Sequence, residues 1–112
     1  MRPDIKQFLT ALRERDIKKA REELDNVGEK LDIKDEFWRG YHLALRGMVS
    51  ALESGDELTV LSRIINGKIS RESIQKLLQQ AQEKASQTFR PNDERGFDAA
   101  WADALQFFQA KS

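Results

Sequence analysis

Apolar residues recur at alternating steps of three and four along most of the chain, as in Ile17, Ala20, Leu24, Val27 and Leu31. This spacing places the apolar side chains on one face of an α-helix, whereas a strand with one buried face alternates apolar and polar residues. No segment alternates for long enough to indicate a strand. The sequence therefore predicts an all-α fold, a compact bundle of about five to six short helices arranged as antiparallel helical hairpins.

Residues that cap or break helices divide this pattern into segments. Side chains of Ser and Asp accept hydrogen bonds from free backbone amides where a helix begins, while glycine and proline end helices. The boundary residues are Pro3, Asp16, Asp32 or Asp35, Asp56 after Gly55, Ser70 after Gly67, and Pro91. They predict one domain over residues 1–112, with hairpins at 3–31, 35–66 and 70–110. The third helix is the most apolar, and we expect it at the centre.

Size, charge and cysteine content limit the classes of function. A chain of 112 residues matches one domain, and its 19 basic residues balance 19 acidic ones, so no overall field attracts nucleic acid or an anionic membrane. The absence of cysteine excludes disulfides, thiolate metal sites and thiol nucleophiles. No apolar stretch suits a membrane span or a signal peptide, so we expect a cytoplasmic protein without membrane contact. The high charge is also typical of thermophile proteins.

The first two helix pairs repeat one unit. Residues 11–20 (ALRERDIKKA) align with the segment that begins at residues 51–56 (ALESGD), and Asp16 falls on Asp56, an offset of 56 − 16 = 40 residues. Each unit consists of a helix, a short polar turn, an Asp cap and a second helix. The turn and the alanine position after it resemble those of the tetratricopeptide family over about the first sixty residues, which implies αα-hairpin repeats.

A second internal match has a different period. Residues 39–41 (RGY) with Ala44 align with residues 95–97 (RGF) with Ala100, an offset of 95 − 39 = 56 residues. Two periods cannot both describe one tandem repeat. At least one of the two matches therefore reflects the general chemistry of helix packing.

Large aromatic side chains lie on the predicted third and sixth helices. Adjacent rings, as in Phe37–Trp38 and Phe107–Phe108, rarely both lie on the buried face of one helix. In one interpretation the two helices form the core contact, with Gly40, Gly47 and Gly96 allowing close approach. In the other, one ring of each adjacent pair lies on an exposed apolar patch that binds a partner helix or a second copy of this chain. The candidate partner-binding residues are Phe37, Trp38, Tyr41, Trp101, Phe107 and Phe108.

A dense basic cluster lies at the start of the predicted second helix and in the turn before it. One interpretation is ordinary solvated surface, and the other is contact with phosphate groups of a nucleic acid. The carboxylate of the predicted cap Asp16 weakens the second, because it occupies the helix end where a phosphate would bind. The candidate phosphate-contact residues are Arg13, Arg15, Lys18, Lys19 and Arg21.

No set of residues has the spacing that a known catalytic or metal site requires. His42 is the only histidine, and the sequence contains no HExxH, calcium-loop, Walker or dinucleotide-binding motif. We therefore expect no enzyme activity, no cofactor and no metal. The leading hypothesis is a helical protein–protein interaction or assembly module, with self-association as one mode. The alternatives are a small accessory subunit of a nucleoprotein complex and an enzyme with an unrecognised site.

Overall fold

A computed structural model describes residues 2–111, without the side chain of Lys111. Met1 and Ser112, the ends of the predicted domain, lie outside the described residues. Residues 2–111 form six α-helices and no strand, which confirms the all-α prediction, and none of these helices is long and apolar enough to cross a membrane. The helices are α1 (Pro3–Arg13), α2 (Ile17–Lys30), α3 (Glu36–Ser54), α4 (Val60–Ile65), α5 (Arg71–Ser86) and α6 (Asn92–Lys111).

Most predicted boundary residues begin or end helices. The side chain of Asp16 accepts a hydrogen bond from a first-turn amide of α2, and that of Ser70 does the same for α5. Asp35, rather than Asp32, caps α3. Pro91 immediately precedes α6. These boundaries depend on short-range chemistry, since a cap bonds an amide only two or three residues away.

The prediction that Asp56 caps the fourth helix is wrong. α4 begins at Val60, and the side chain of Thr59 accepts the first-turn hydrogen bond. The carboxylate of Asp56 instead accepts a hydrogen bond of 2.9 Å from the amide of Leu58, within the turn that follows the left-handed Gly55. Such a local bond competes with helix formation. Leu58 is consequently outside α4 and 82% exposed.

α3 occupies the centre of the molecule, as its apolar sequence predicts, because it contacts α1, α2, α4 and α6. Its most extensive contact is with α6 rather than with α4, the short helix that follows it. α5 packs mainly on α6, and α2 packs mainly on α1. The largest fully buried side chains are Phe8, Ile5, Leu9, Leu12, Leu45, Met48, Leu61 and Val27.

Two glycines allow α3 and α6 to cross closely. A Cβ atom on Gly40 would collide with the carbonyl oxygen of Asp93, and one on Gly96 would collide with the carbonyl oxygen of Phe37. The segments that align at the offset of 96 − 40 = 56 residues therefore contact each other. The expected close approach at Gly47 is wrong, because this glycine lies on the exposed side of α3 and a Cβ there would meet no described neighbour within 4 Å.

Candidate functional site

One face of α5 lines two adjoining cavities. The lining side chains recur at steps of three and four, so they form a stripe along the helix. From Ser73 to Lys84 the stripe is ~16 Å long, given the rise of an α-helix. The lining residues on α5 are Ser73, Lys76, Leu77, Gln80, Ala81 and Lys84.

The first cavity is mainly apolar and has a volume of about 200 Å³. Its apolar lining consists of Val60 from α4, Leu77 and Ala81 from α5, and Trp101 and Leu105 from α6. Leu105 is buried, Leu77 and Trp101 are half-buried, and Val60 is 44% exposed. The helices α4, α5 and α6 thus leave apolar surface open to solvent between them.

The second cavity continues the first along α4 and the connection between α4 and α5. It has a volume of about 600 Å³ and shares Val60 and Leu77 with the first cavity. Its other lining residues are Arg63, Lys68, Ile69, Ser70, Ser73 and Lys76. We call the two cavities together the α5 groove.

The α5 groove has a basic rim. Its cations come from three parts of the chain: Arg63 from α4, Lys68 from the following connection, and Lys76 and Lys84 from α5. Within residues 2–111 none of the four forms an ion pair. The only acidic lining residue in the groove is Asp98. The rim therefore carries excess positive charge although the whole chain is neutral.

Asp98 adds little negative charge to this rim. One of its carboxylate oxygens lies 3.5 Å from the guanidinium of Arg90, which also lies 3.7 Å from Glu94. Both carboxylates share the same cation, on the side of α6 that faces away from α4. The four cations of the groove consequently have no acidic partner opposite them among the described residues.

The structure separates the candidate aromatic residues. Trp101 lines the α5 groove, while Phe37 and Trp38 are half-buried and contact each other edge to face, with ring centroids 5.0 Å apart. Phe107 and Phe108 are both buried, so the expectation that one ring of each adjacent pair is exposed is wrong for this pair. The guanidinium of Arg13 lies 5.1 Å from the centre of the Phe107 ring, in cation–π geometry.

Tyr41 is buried and part of a polar contact inside the protein. Its hydroxyl donates a 2.5 Å hydrogen bond to the carboxylate of Asp103 on α6. Burial raises the pKa of the Tyr41 phenol, and the hydrogen bond to Asp103 raises it further. The ring is therefore a link between α3 and α6 rather than a surface that contacts a partner.

The basic cluster at residues 13–21 is largely used within the chain. Besides Arg13, Lys19 lies 3.2 Å from the carboxylate of Glu23, and Arg21 donates two hydrogen bonds to Glu53 on α3. The carboxylate of Glu53 raises the pKa of Arg21, chiefly through these hydrogen bonds. Only Arg15, which has a left-handed backbone with φ of 58°, and Lys18 are exposed without such a contact among the described residues. The five cations do not form one free surface.

His42 lies between α2 and α3 rather than in the α5 groove. A Cβ atom on Gly28 would lie 3.0 Å from Nε2 of this imidazole, so the ring fills the space that the glycine leaves. Burial lowers the pKa of His42 and the charge of Arg46 lowers it further, while a backbone hydrogen bond with Leu24 and the charge of Asp25 act in the opposite direction. The net pKa lies below the model value of 6.5.

This pKa shift predicts a loss of stability in weak acid that depends on His42. The unfolded chain takes up a proton near pH 6.5, whereas the folded imidazole resists protonation, so the free energy of unfolding falls as the pH drops through 6.5 towards the folded-state pKa. Urea unfolding at about pH 7.5 and about pH 5.5 measures the change. The His42→Gln variant is expected to lose less stability over this interval than the unmodified protein. Equal losses in both proteins would contradict the prediction.

The described residues contain no group of three or more His, Cys, Asp or Glu side chains that could hold a metal ion. Of the residues that line the α5 groove, only Trp101 is among the candidates selected from the sequence. The others carry a weak signal, since Lys76 and Lys84 flank the apolar positions Leu77 and Ala81 on α5. That pattern is also typical of an ordinary amphipathic helix, and the position of α4 beside it is what makes a groove.

No protein-family model, curated protein or solved structure matches the chain. The tetratricopeptide resemblance therefore stays a prediction. A function must be argued from the geometry and charge of the α5 groove.

Proposed function

We propose that this protein is a non-enzymatic helical module that binds another protein through the α5 groove, in the cytoplasm. The observation that carries the proposal is the apolar lining that extends from α4 across α5 to α6 and stays open to solvent. Burial of apolar surface drives protein association. An aromatic side chain such as Trp101 at the centre of an apolar surface is typical of residues that dominate binding energy.

The size of the apolar cavity favours a protein side chain over a small molecule. Pockets for drug-sized ligands usually enclose about 300–1,000 Å³. The apolar cavity encloses about 200 Å³ and opens along α5. It therefore suits one large apolar side chain of a longer segment that continues along the groove.

The shape of the groove favours a helical segment. The described residues form no strand, so they offer no sheet edge to which an extended peptide could add. The stripe on α5 is ~16 Å long, which matches about eleven residues of an α-helix, or three turns. A partner helix would place apolar residues at i, i+3 or i+4, and i+7 on the apolar lining.

A probe peptide tests this proposal. The probe is a helix-forming peptide of about fourteen residues with a leucine stripe and neutral polar residues elsewhere, and the readout is the NMR signal of the Trp101 indole N–H. Binding is expected to shift the Trp101 signal and to leave that of Trp38 unchanged. A peptide of the same composition with scattered leucines is expected to bind at least about tenfold more weakly.

Matched variants locate the binding surface. Val60→Asp adds a charge to the apolar lining, while the first turn of a helix tolerates Asp, so the fold is expected to persist. We expect this variant to weaken binding of the stripe peptide about tenfold or more. Leu58→Asp, at an exposed position that does not line the groove, is the control and is expected to leave binding unchanged. Equal effects of the two variants would contradict the proposal.

Self-association is the alternative use of the same groove. Light scattering at high protein concentration measures it, and a dimer that Val60→Asp dissociates would replace the heterologous partner by a second copy of this chain. The nucleoprotein hypothesis has less support, because three of its five cations are engaged with Glu23, Glu53 or Phe107.

A further inference from the structure

We propose that the partner of the α5 groove is an acidic amphipathic helix of about three turns. This inference rests on the proposed function, because it names the chemistry of the segment that the groove binds. It follows from the charge of the rim rather than from the apolar lining. The partner would carry apolar residues on one face and Asp or Glu on both sides of that face.

The local charge carries the inference. Arg63, Lys68, Lys76 and Lys84 line the groove, and the single acidic lining residue, Asp98, is already paired with Arg90. Like charges that are unpaired around one apolar surface repel one another, and an acidic partner would relieve that repulsion. Complementary charge around an apolar centre also accelerates association and selects between partners.

The positions of the cations predict how the acidic residues are distributed. Lys76 and Lys84 lie eight residues apart on α5 (84 − 76 = 8), or ~12 Å along the helix axis. Arg63, Lys68 and Lys76 all line the second cavity, whereas Lys84 lines only the first. Three of the four cations therefore surround the end of the groove near α4. The partner helix should carry more Asp and Glu at the end that docks beside α4.

A nucleic acid fits these observations less well than a protein helix. Nucleic-acid sites combine cations along a phosphate backbone with side chains that stack on or hydrogen-bond to bases. Here the surface between the cations is aliphatic, formed by Val60, Leu77, Ala81 and Leu105, with Trp101 half-buried. Aliphatic side chains at this spacing match leucine-like residues of a helix.

Two peptides with the same leucine stripe test the inference on the full chain. One carries Glu at the flanking positions and the other carries Lys, and fluorescence anisotropy measures their affinity at about 50 mM and about 300 mM NaCl. We expect the acidic peptide to bind at least about tenfold more tightly at low salt, and we expect this preference to shrink at high salt. A single-stranded oligothymidylate of similar length serves as the nucleic-acid probe.

Charge reversal on the rim is the matched control experiment. Lys68→Glu combined with Lys76→Glu is expected to abolish the preference for the acidic peptide. Lys18→Glu combined with Lys34→Glu changes the net charge equally at exposed positions outside the groove, and it is expected to retain the preference. If both double variants lose it, the preference reflects net charge and the inference is wrong.

The remaining outcomes separate the inference from the proposed function. Equal binding of the acidic and basic peptides, still sensitive to Val60→Asp, would overturn the acidic partner and leave the proposed function intact. Failure of every stripe peptide to bind would overturn both. Tight binding of the oligothymidylate that Lys68→Glu with Lys76→Glu abolishes, without binding of the acidic peptide, would replace the protein partner by a nucleic acid.

Discussion

Replacing Gly40 by alanine is expected to lower the free energy of unfolding by at least ~2 kcal/mol. Alanine favours a helix interior over glycine by about 1 kcal/mol. The added Cβ would, however, collide with the carbonyl oxygen of Asp93, and a backbone atom cannot rotate away as a side chain can. Overpacking costs about 3 kcal/mol when rigid groups must separate, so the collision outweighs the helix propensity. Urea unfolding followed by circular dichroism measures the difference.

Gly47→Ala is the matched control, since it makes the same substitution in the same helix. A Cβ at position 47 meets none of the described residues within 4 Å, so only helix propensity changes. We expect this variant to be more stable than the unmodified protein by about 0.5–1 kcal/mol. Gly96→Ala is expected to behave like Gly40→Ala. If alanine at 40 and at 47 had the same effect, α3 and α6 could not cross as closely as described.

Phe8→Ala is expected to destabilise the protein by about 3–5 kcal/mol, the largest effect of any substitution discussed. Phe8 lies on α1 and is fully buried in the core. Truncation removes the transfer free energy of the ring and leaves a cavity that the surrounding helices fill only in part. For a domain of this size the loss should be visible as a large fall in the urea midpoint. The same experiment shows whether α1 is an integral part of the core.

Phe89→Ala supplies the comparison, because the same side chain is removed from the connection between α5 and α6. Phe89 is 83% exposed. We expect a change within about 0.5 kcal/mol, as for most surface substitutions. A small effect at Phe8 together with a large one at Phe89 would mean that α1 does not pack on the core as described.

The success of the boundary predictions depended on how local the chemistry is. Asp16 and Ser70 bond amides within three residues, so their roles can be read from neighbouring positions. Asp56 failed as a cap because Thr59 follows it closely and offers an equivalent acceptor. Which of the two acceptors begins the helix depends on how the chain leaves Gly55, and the sequence pattern does not encode that direction.

The candidate site was harder to predict because it depends on distant contacts. Arg21 belongs to the densest basic cluster in the sequence, yet it pairs with Glu53, which is 32 residues away. The rim of the α5 groove draws cations from α4, a connection and α5, so no single segment looks unusually basic. Trp101 could be selected as an aromatic residue, but its neighbours became visible only once α4 was placed beside α5.

The two internal matches describe different properties. The match at 40 residues aligns the turns at Asp16 and Asp56, but only Asp16 caps a helix. The match at 56 residues aligns Gly40 with Gly96, and these glycines meet at the contact between α3 and α6. Interpreting the two helices as the core contact accounts for the second match, because close packing restricts both surfaces to small residues at the same positions.

The crossing of α3 and α6 is a self-complementary interface within a single chain. Gly40 faces Asp93, and adding 56 to 40 and subtracting 56 from 93 turns that pair into Gly96 facing Phe37, the second observed contact. Exchange of this kind is the property of an isologous interface, in which two copies of one surface are related by a two-fold axis. A surface that in a shorter chain would form a homodimer is therefore already occupied inside the monomer. Any further partner must bind elsewhere, and the α5 groove lies outside this axis.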